Sequence, residues 1–231
     1  AKLSWRGEHN CLYTGIMNKI SFEQVTPHVF LQRGNLHSDV WQQPNLTFDK
    51  GKFYLVEAAS GHGKSTFCSY VLGYRQDYQG TVRFDNTDVC MFSTAEWVNI
   101  RQRCVSQLFQ DLRLFPELTA LENVQLKNQL THFKSETQIR QWFEQLGIAD
   151  KIDARVGQMS FGQQQRVAAL RALVQPFDFL LADEPISHLD DVNAEVLGQL
   201  MADEAKQQGA TLIITSIGKH PHLLYDKTLK L

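Results

Sequence analysis

The stretch "FYLVEAASGHGKSTF", residues 53–67, runs from an apolar segment through a glycine-rich turn into Gly63-Lys64-Ser65. Residues 53–57 lack polar alternation, the pattern of a strand buried on both faces. Beyond the turn, Phe67, Val71 and Leu72 fall on one face of a helix. A strand that turns sharply into a helix is the setting of the phosphate-binding loop G-x-x-x-x-G-K-[ST]. Backbone N–H groups and the helix N-terminus there converge on an anion. In this reading Ser60, Gly61, His62, Gly63 and Thr66 line the cradle and Lys64 reaches the β- and γ-phosphates. The Ser65 hydroxyl becomes a ligand to Mg²⁺. Ala58 stands where the motif has its first glycine. The amides that grip phosphate come later, so the cradle is expected to survive that change.

Further strand-like segments are "ISFEQV" (20–25), "TVRF" (81–84), "FDFLLA" (177–182) and "TLIIT" (211–215). The apolar ones near residues 53, 177 and 211 read as neighbours in a buried parallel sheet. Between them the chain turns helical. Ser135 with Gln138 has the spacing of a capping box, and Ile139, Trp142, Phe143 and Leu146 follow as a core-facing stripe that Gly147 ends. Helices are also expected over 163–174 and over 192–208, the latter stopped by Gly209. The pattern is that of an α/β domain with a helical lobe inserted after the phosphate loop.

The segment "FDFLLADEPISHLD" ends a strand in two carboxylates. Asp183 is placed to hold Mg²⁺ and Glu184 to polarise an attacking water, with Pro185 stopping the strand at once. Just upstream, "QMSFGQQQRVAALRAL" (158–173) opens a helix whose N-terminus carries Ser160, Gly162 and Gln163. A hydroxyl beside a helix N-terminus suits a multiply charged anion.

Composition narrows the function classes. The 231 residues carry a net charge of −2 and are 43% hydrophobic, enough for one large domain and no basis for nucleic-acid attraction. No apolar run approaches the roughly 20 residues that span a bilayer. Cys11, Cys68, Cys90 and Cys104 are far apart and suggest neither a zinc site nor a disulfide framework. Residues 1–16 read as a leader or an added extension ahead of Met17.

With the phosphate loop, the "MSFGQ" helix and the Asp183-Glu184 strand in this order, the sequence resembles the ATP-binding-cassette (ABC) ATPases. Their signature L-S-G-G-Q is matched by Met159, Ser160, Phe161, Gly162 and Gln163, with Arg166 following. The resemblance covers about residues 20–231. It implies a P-loop NTPase α/β core with a parallel sheet, an N-terminal antiparallel β region and an inserted helical subdomain. The cassette is then expected over 17–231 and the helical subdomain over about 111–175. It implies that Gln110 senses Mg²⁺ and the attacking water, and that Ser160, Gly162 and Gln163 cap an ATP held by the opposite subunit. Asp190 takes the dimer-interface position of the D-loop. The cofactors implied are ATP and Mg²⁺. The partners implied are an integral membrane permease and a second ATPase subunit, with no nucleic acid. The location implied is the cytoplasmic face of the plasma membrane. Within the family, "LFQDLRLFPELTALENV" and "GQQQRVAALRAL" are most similar to lipoprotein-release, macrolide-efflux and cell-division cassettes.

Two further positions depart from the family pattern. Phe161 replaces a signature glycine, and Ser216 stands where the family has a histidine that bridges the γ-phosphate to the opposite subunit. His220 and His222 lie too far along the chain to be assumed substitutes, and no third ligand makes them a metal site. Phe30 is the candidate for stacking on adenine, and Leu114 with Phe115 are candidate apolar contacts for the membrane partner. Three functions therefore stay open: a transport ATPase slowed at Ser216, a nucleotide-gated structural module with little turnover, and a soluble non-transport ATPase.

Overall fold

The computed structural model describes residues 16–32, 36–58 and 63–231, so Ser60, Gly61 and His62 lie outside the described residues, as does nearly all of the expected extension. Strands β1 (Lys19–Pro27) and β2 (Leu46–Asp49) precede β3 (Phe53–Glu57) and helix α1 (Lys64–Val71). Then come β4 (Tyr78–Phe84), β5 (Thr87–Asp88), α2 (Thr94–Arg103) and β6 (Val105–Leu108). Helices α3 (Ala120–Asn128), α4 (Glu136–Gln145) and α5 (Phe161–Leu173) lead to β7 (Phe179–Asp183), α6 (Asp191–Gln207), β8 (Thr211–Ser216) and β9 (Lys227–Lys230).

Two sheets result. One is antiparallel in the order β2-β1-β4-β5. The other runs β6-β7-β8-β3-β9 with every neighbouring pair parallel. The strands expected near residues 53, 177 and 211 are β3, β7 and β8, adjacent as their apolar character requires. Alternate residues of β3 face opposite cores. Tyr54 and Val56 join a cluster with Phe22, Trp41, Phe48 and Phe67 beneath the antiparallel sheet. Leu55 packs instead with Leu180, Leu212 and Ile214 against the helices of the other layer. With both faces covered, β7 and β8 are buried along their full length.

The helical stripe is also in place: Ile139, Trp142, Phe143 and Leu146 are all buried, and Gly147 stops the chain at φ +64°. Ser135 forms only half of its expected box, accepting from the Gln138 N–H at 3.2 Å. Complete capping boxes occur at Ser93, Thr119 and Ser160. The Ser160–Gln163 box starts α5 at Phe161, two residues before the expected 163. Strand β6 gave no apolar signal because Ser106 is fully buried and donates to the Ala172 carbonyl at 2.6 Å. A polar residue satisfied by a distant partner is invisible to a periodicity argument.

Candidate active site

The end of the phosphate loop is built by Gly63, which caps α1 with φ +97°. A Cβ there would be strained by that φ and would meet the Phe30 ring at 3.2 Å, so glycine is required twice over. Ala58 shows no such demand: it is absent from the residues of positive φ, and its N–H donates to the Ser216 carbonyl at 3.0 Å. Lys64 opens α1 and is buried, with Nζ donating to Glu184 Oε1 at 2.6 Å. Ser65 points outward, while Thr66 is buried and accepts from Arg75 Nη1 at 3.2 Å.

Asp183 closes β7 with its carboxylate buried, and Thr215 Oγ1 on the adjacent β8 donates to it. Burial raises its pKa above the ordinary value, a shift the Thr215 hydrogen bond opposes and the Glu184 charge reinforces. Glu184 follows with φ +49°, and its N–H donates to the Thr215 carbonyl at 3.0 Å. Thr215 therefore holds both acids, through its side chain and its backbone.

Ser65, Gln110 and Asp183 line one cavity of about 440 Å³ between α1 and the end of β6. Gln107 lines it too, with a buried Oε1 that has no hydrogen-bond partner. A hydroxyl, a carboxylate and amide oxygens suit Mg²⁺, which takes hard oxygen ligands. The donor set thus fits the ion that the sequence called for. Arg171 of α5 supports the turn that follows: its guanidinium donates to the Leu112 and Arg113 carbonyls, both at 2.6 Å. These two residues have φ of +56° and +50°, a strained pair just beyond Gln110.

The signature residues sit elsewhere. Ser160 and Gln163 satisfy one another across the α5 N-terminus, at 2.9 and 3.3 Å, and neither lines that cavity. Gly162 presses on the D-loop, where a Cβ would stand 3.0 Å from the His188 carbonyl. Phe161 is 45% exposed and meets the His188 ring edge-on at 4.3 Å between centroids. Asp190 caps α6, accepting from the Asn193 N–H at 2.9 Å.

Ser216 pairs with Glu57 across β8 and β3, beside the phosphate loop. Its hydroxyl turns away to donate to the Lys219 carbonyl at 2.8 Å. His220 and His222 stand 6.4 Å apart beyond it, and His220 packs against Tyr225. Phe30 is only 6% exposed, its ring under Gly63, where it supports the loop and does not present a face for stacking on adenine. The Leu114–Phe115 pair divides, since Leu114 packs on the core and Phe115 is 52% exposed. Buried Asn123 grips that turn, accepting from the Phe115 N–H at 2.8 Å and donating to its carbonyl at 3.0 Å. Thr215 and Arg171 escaped the sequence reading because each acts on a residue distant in the chain, and Gln107 because only the fold brings it to the cavity.

A phosphate loop entering α1, with an Asp-Glu pair at the end of a neighbouring parallel strand, defines a P-loop nucleotide hydrolase. Residues 41–187 match the family profile described as ABC transporter. The sequence is 32% identical over 203 residues to the lipoprotein-releasing system ATP-binding protein LolD of Myxococcus xanthus, covering 87% of this chain and 90% of the relative. The fold superposes with TM-score 0.70 and 29% identity on the dimeric ABC transporter cassette MJ0796, over 85% of this chain and 87% of that one. It also superposes with TM-score 0.68 and 28% identity on the post-hydrolysis form of MJ0796 bound to ADP and Pi, with the same coverage. The chain belongs to the ABC transporter family, as one of its ATP-hydrolysing cassettes.

Proposed function

We propose that this cassette is the nucleotide-binding subunit of a transporter, enclosing MgATP between itself and a second cassette and driving a membrane permease. The observation that carries the proposal is the convergence of Lys64, Ser65, Gln110, Asp183 and Glu184 at one edge of the parallel sheet. Lys64 neutralises the phosphates, giving up Glu184 as its partner. Ser65, Gln110 and Asp183 would hold Mg²⁺, which supplies charge neutralisation on the phosphates. Glu184, released from Lys64, orients the attacking water and takes its proton. The loop residues Ser60, Gly61 and His62 complete the cradle. Ser160, Gly162 and Gln163, outside their own chain's cavity, serve the nucleotide of the second cassette.

Ser216 sets the pace in this scheme. Its hydroxyl is committed to the Lys219 carbonyl, and it cannot carry positive charge near neutral pH. One transition-state contact, worth about 2–4 kcal/mol in comparable roles, is absent. The cassette therefore binds ATP normally and hydrolyses it slowly. Among the described residues no helix is long and apolar enough to cross a membrane. The permease docks at the turn bearing exposed Phe115. In this reading the cassette works at the cytoplasmic face.

The experiment is gel filtration of Glu184→Gln with MgATP. A nucleotide-dependent dimer is expected, and hydrolysis slower by about 10²–10⁴-fold. Undiminished turnover removes Glu184 from its role. A chain that stays monomeric with bound MgATP removes the shared-site reading.

A further inference from the structure

Glu184 lies just past the end of β7 with φ +49°, a left-handed backbone that residues bearing a Cβ adopt only under constraint. Its backbone hydrogen bonds impose it: besides a local turn, in which Ser187 donates to the Glu184 carbonyl through its N–H at 3.3 Å and its Oγ at 3.2 Å, two bonds come from distant elements. The Glu184 N–H donates to the Thr215 carbonyl at 3.0 Å, and the Glu184 carbonyl accepts from Gln165 Nε2 at 3.0 Å. Gln165 comes from α5, 19 residues earlier, and is 2% exposed. Its Oε1 accepts from the His188 N–H at 3.3 Å, in the loop that follows Glu184. One side-chain amide thus uses its donor and its acceptor to brace both ends of residues 184–188. It lies one helical turn inside the α5 N-terminus, whose Gly162 presses on the same His188.

We propose that Gln165 is a positioning residue for ATP hydrolysis. It holds the strained Glu184 backbone so that the carboxylate points at Lys64 and the phosphate loop. It also ties that orientation to the helix whose first turn serves the opposite nucleotide. The physical reason is that φ sets where the Cβ points. If the Gln165 bond to the Glu184 carbonyl is lost, only the local Ser187 contacts hold that carbonyl, and the peptide relaxes toward an ordinary φ and swings the carboxylate away. A displacement of that kind leaves ATP bound and removes the aim of the base. The inference rests on the reading of Glu184 as that base.

The test is single-turnover hydrolysis, with the full chain in excess over MgATP, for wild type, Gln165→Met, Glu184→Gln and the double variant. Methionine keeps the length and volume of glutamine but neither donates nor accepts strongly. Gln165→Met is expected to slow hydrolysis about 10- to 100-fold. MgATP affinity should stay within about twofold, and the double variant should be no slower than Glu184→Gln alone. A structural role alone would lower the melting temperature while leaving the rate unchanged, and that result overturns the inference. So does a rate loss that adds in full to that of Glu184→Gln. Should Gln165→Met fail to bind MgATP, Gln165→Glu keeps the acceptor toward His188 and loses the amide donor. It is expected to be as slow, and a normal rate there also overturns the inference. A Glu184→Gln variant as fast as wild type defeats the assignment of the base itself. A slow Glu184→Gln beside a normal Gln165→Met defeats only the role of Gln165.

Discussion

At the edge of the parallel sheet, Lys64, Ser65, Gln110, Asp183 and Glu184 come together from three separate strand ends. At the start of α5, by contrast, the side chains of Ser160 and Gln163 each accept from the other's backbone N–H and lie outside the cavity lined by Ser65, Gln110 and Asp183. The first group is partly desolvated and mutually dependent: Lys64 and Glu184 form an ion pair with side chains only 7% and 12% exposed. Losing either partner strands a buried charge. The second group is a satisfied helix cap on the surface, able to act only on something brought to it. The contrast is what the proposed sharing of the site between two cassettes requires, and within the molecule α5 reaches the first group through Gln165 and the turn beyond Gln110 through Arg171.

The contrast can be broken most severely at Lys64. Lys64→Ala is expected to abolish measurable MgATP binding in calorimetry, because it removes the one point charge from the cradle of a ligand with several negative charges. Equal affinity in the variant would transfer the cradle's role to other residues. A smaller effect, of opposite sign, is expected at the end of β8. Ser216→His should raise kcat by about 30-fold or more while KM stays within about twofold, since the added contact belongs to the transition state. If wild-type turnover is already brisk and the variant is no faster, His220 is the next residue to test.

The surface half-site is sharpened by Phe161→Gly. Removing the ring clears the signature for the second cassette and should tighten ATP-dependent dimerisation severalfold, measured by analytical ultracentrifugation in the Glu184→Gln background. It should also cost about 1 kcal/mol of stability, from the glycine in the first helical turn and the lost contact with His188. A dimer no tighter than before would leave Phe161 with a structural role only.

The smallest expected effect is a shift along the pH axis. The pKa of Asp183 is raised above its ordinary 3.8, chiefly by burial. With the folded value raised, the stabilising contribution of this group is fully present below 3.8 and is lost as pH rises through the folded value. A divalent cation competes with the proton, so Mn²⁺ affinity followed by electron paramagnetic resonance should begin to fall at a higher pH than an ordinary carboxylate would give. Thr215→Val removes the hydrogen bond that opposes the shift, and should move that onset upward again. An onset unchanged by Thr215→Val would mean that the hydroxyl does not tune Asp183.

Much of this molecule was legible in the order of its residues. The strand-to-helix passage at 53–67, the Asp183-Glu184 strand end and the signature helix were each local patterns, set by apolar periodicity and by caps acting within a few residues. The same local logic placed Trp142 in the core. It could not find β6, whose Ser106 is buried only because Ala172 supplies an acceptor from another element. Nor could it place Phe30, whose ring reads as exposed or buried depending on where Gly63 passes over it. The sequence by itself determined the class of chemistry, because phosphate loops and paired carboxylates need particular residue types at short spacings. The tertiary structure alone decided which side chains share a cavity, why Glu184 keeps an unfavourable backbone and where the Ser216 hydroxyl turns. Those outcomes depend on hydrogen bonds such as Gln165 to Glu184 and Thr215 to Asp183, formed between segments that meet only when the sheet is assembled.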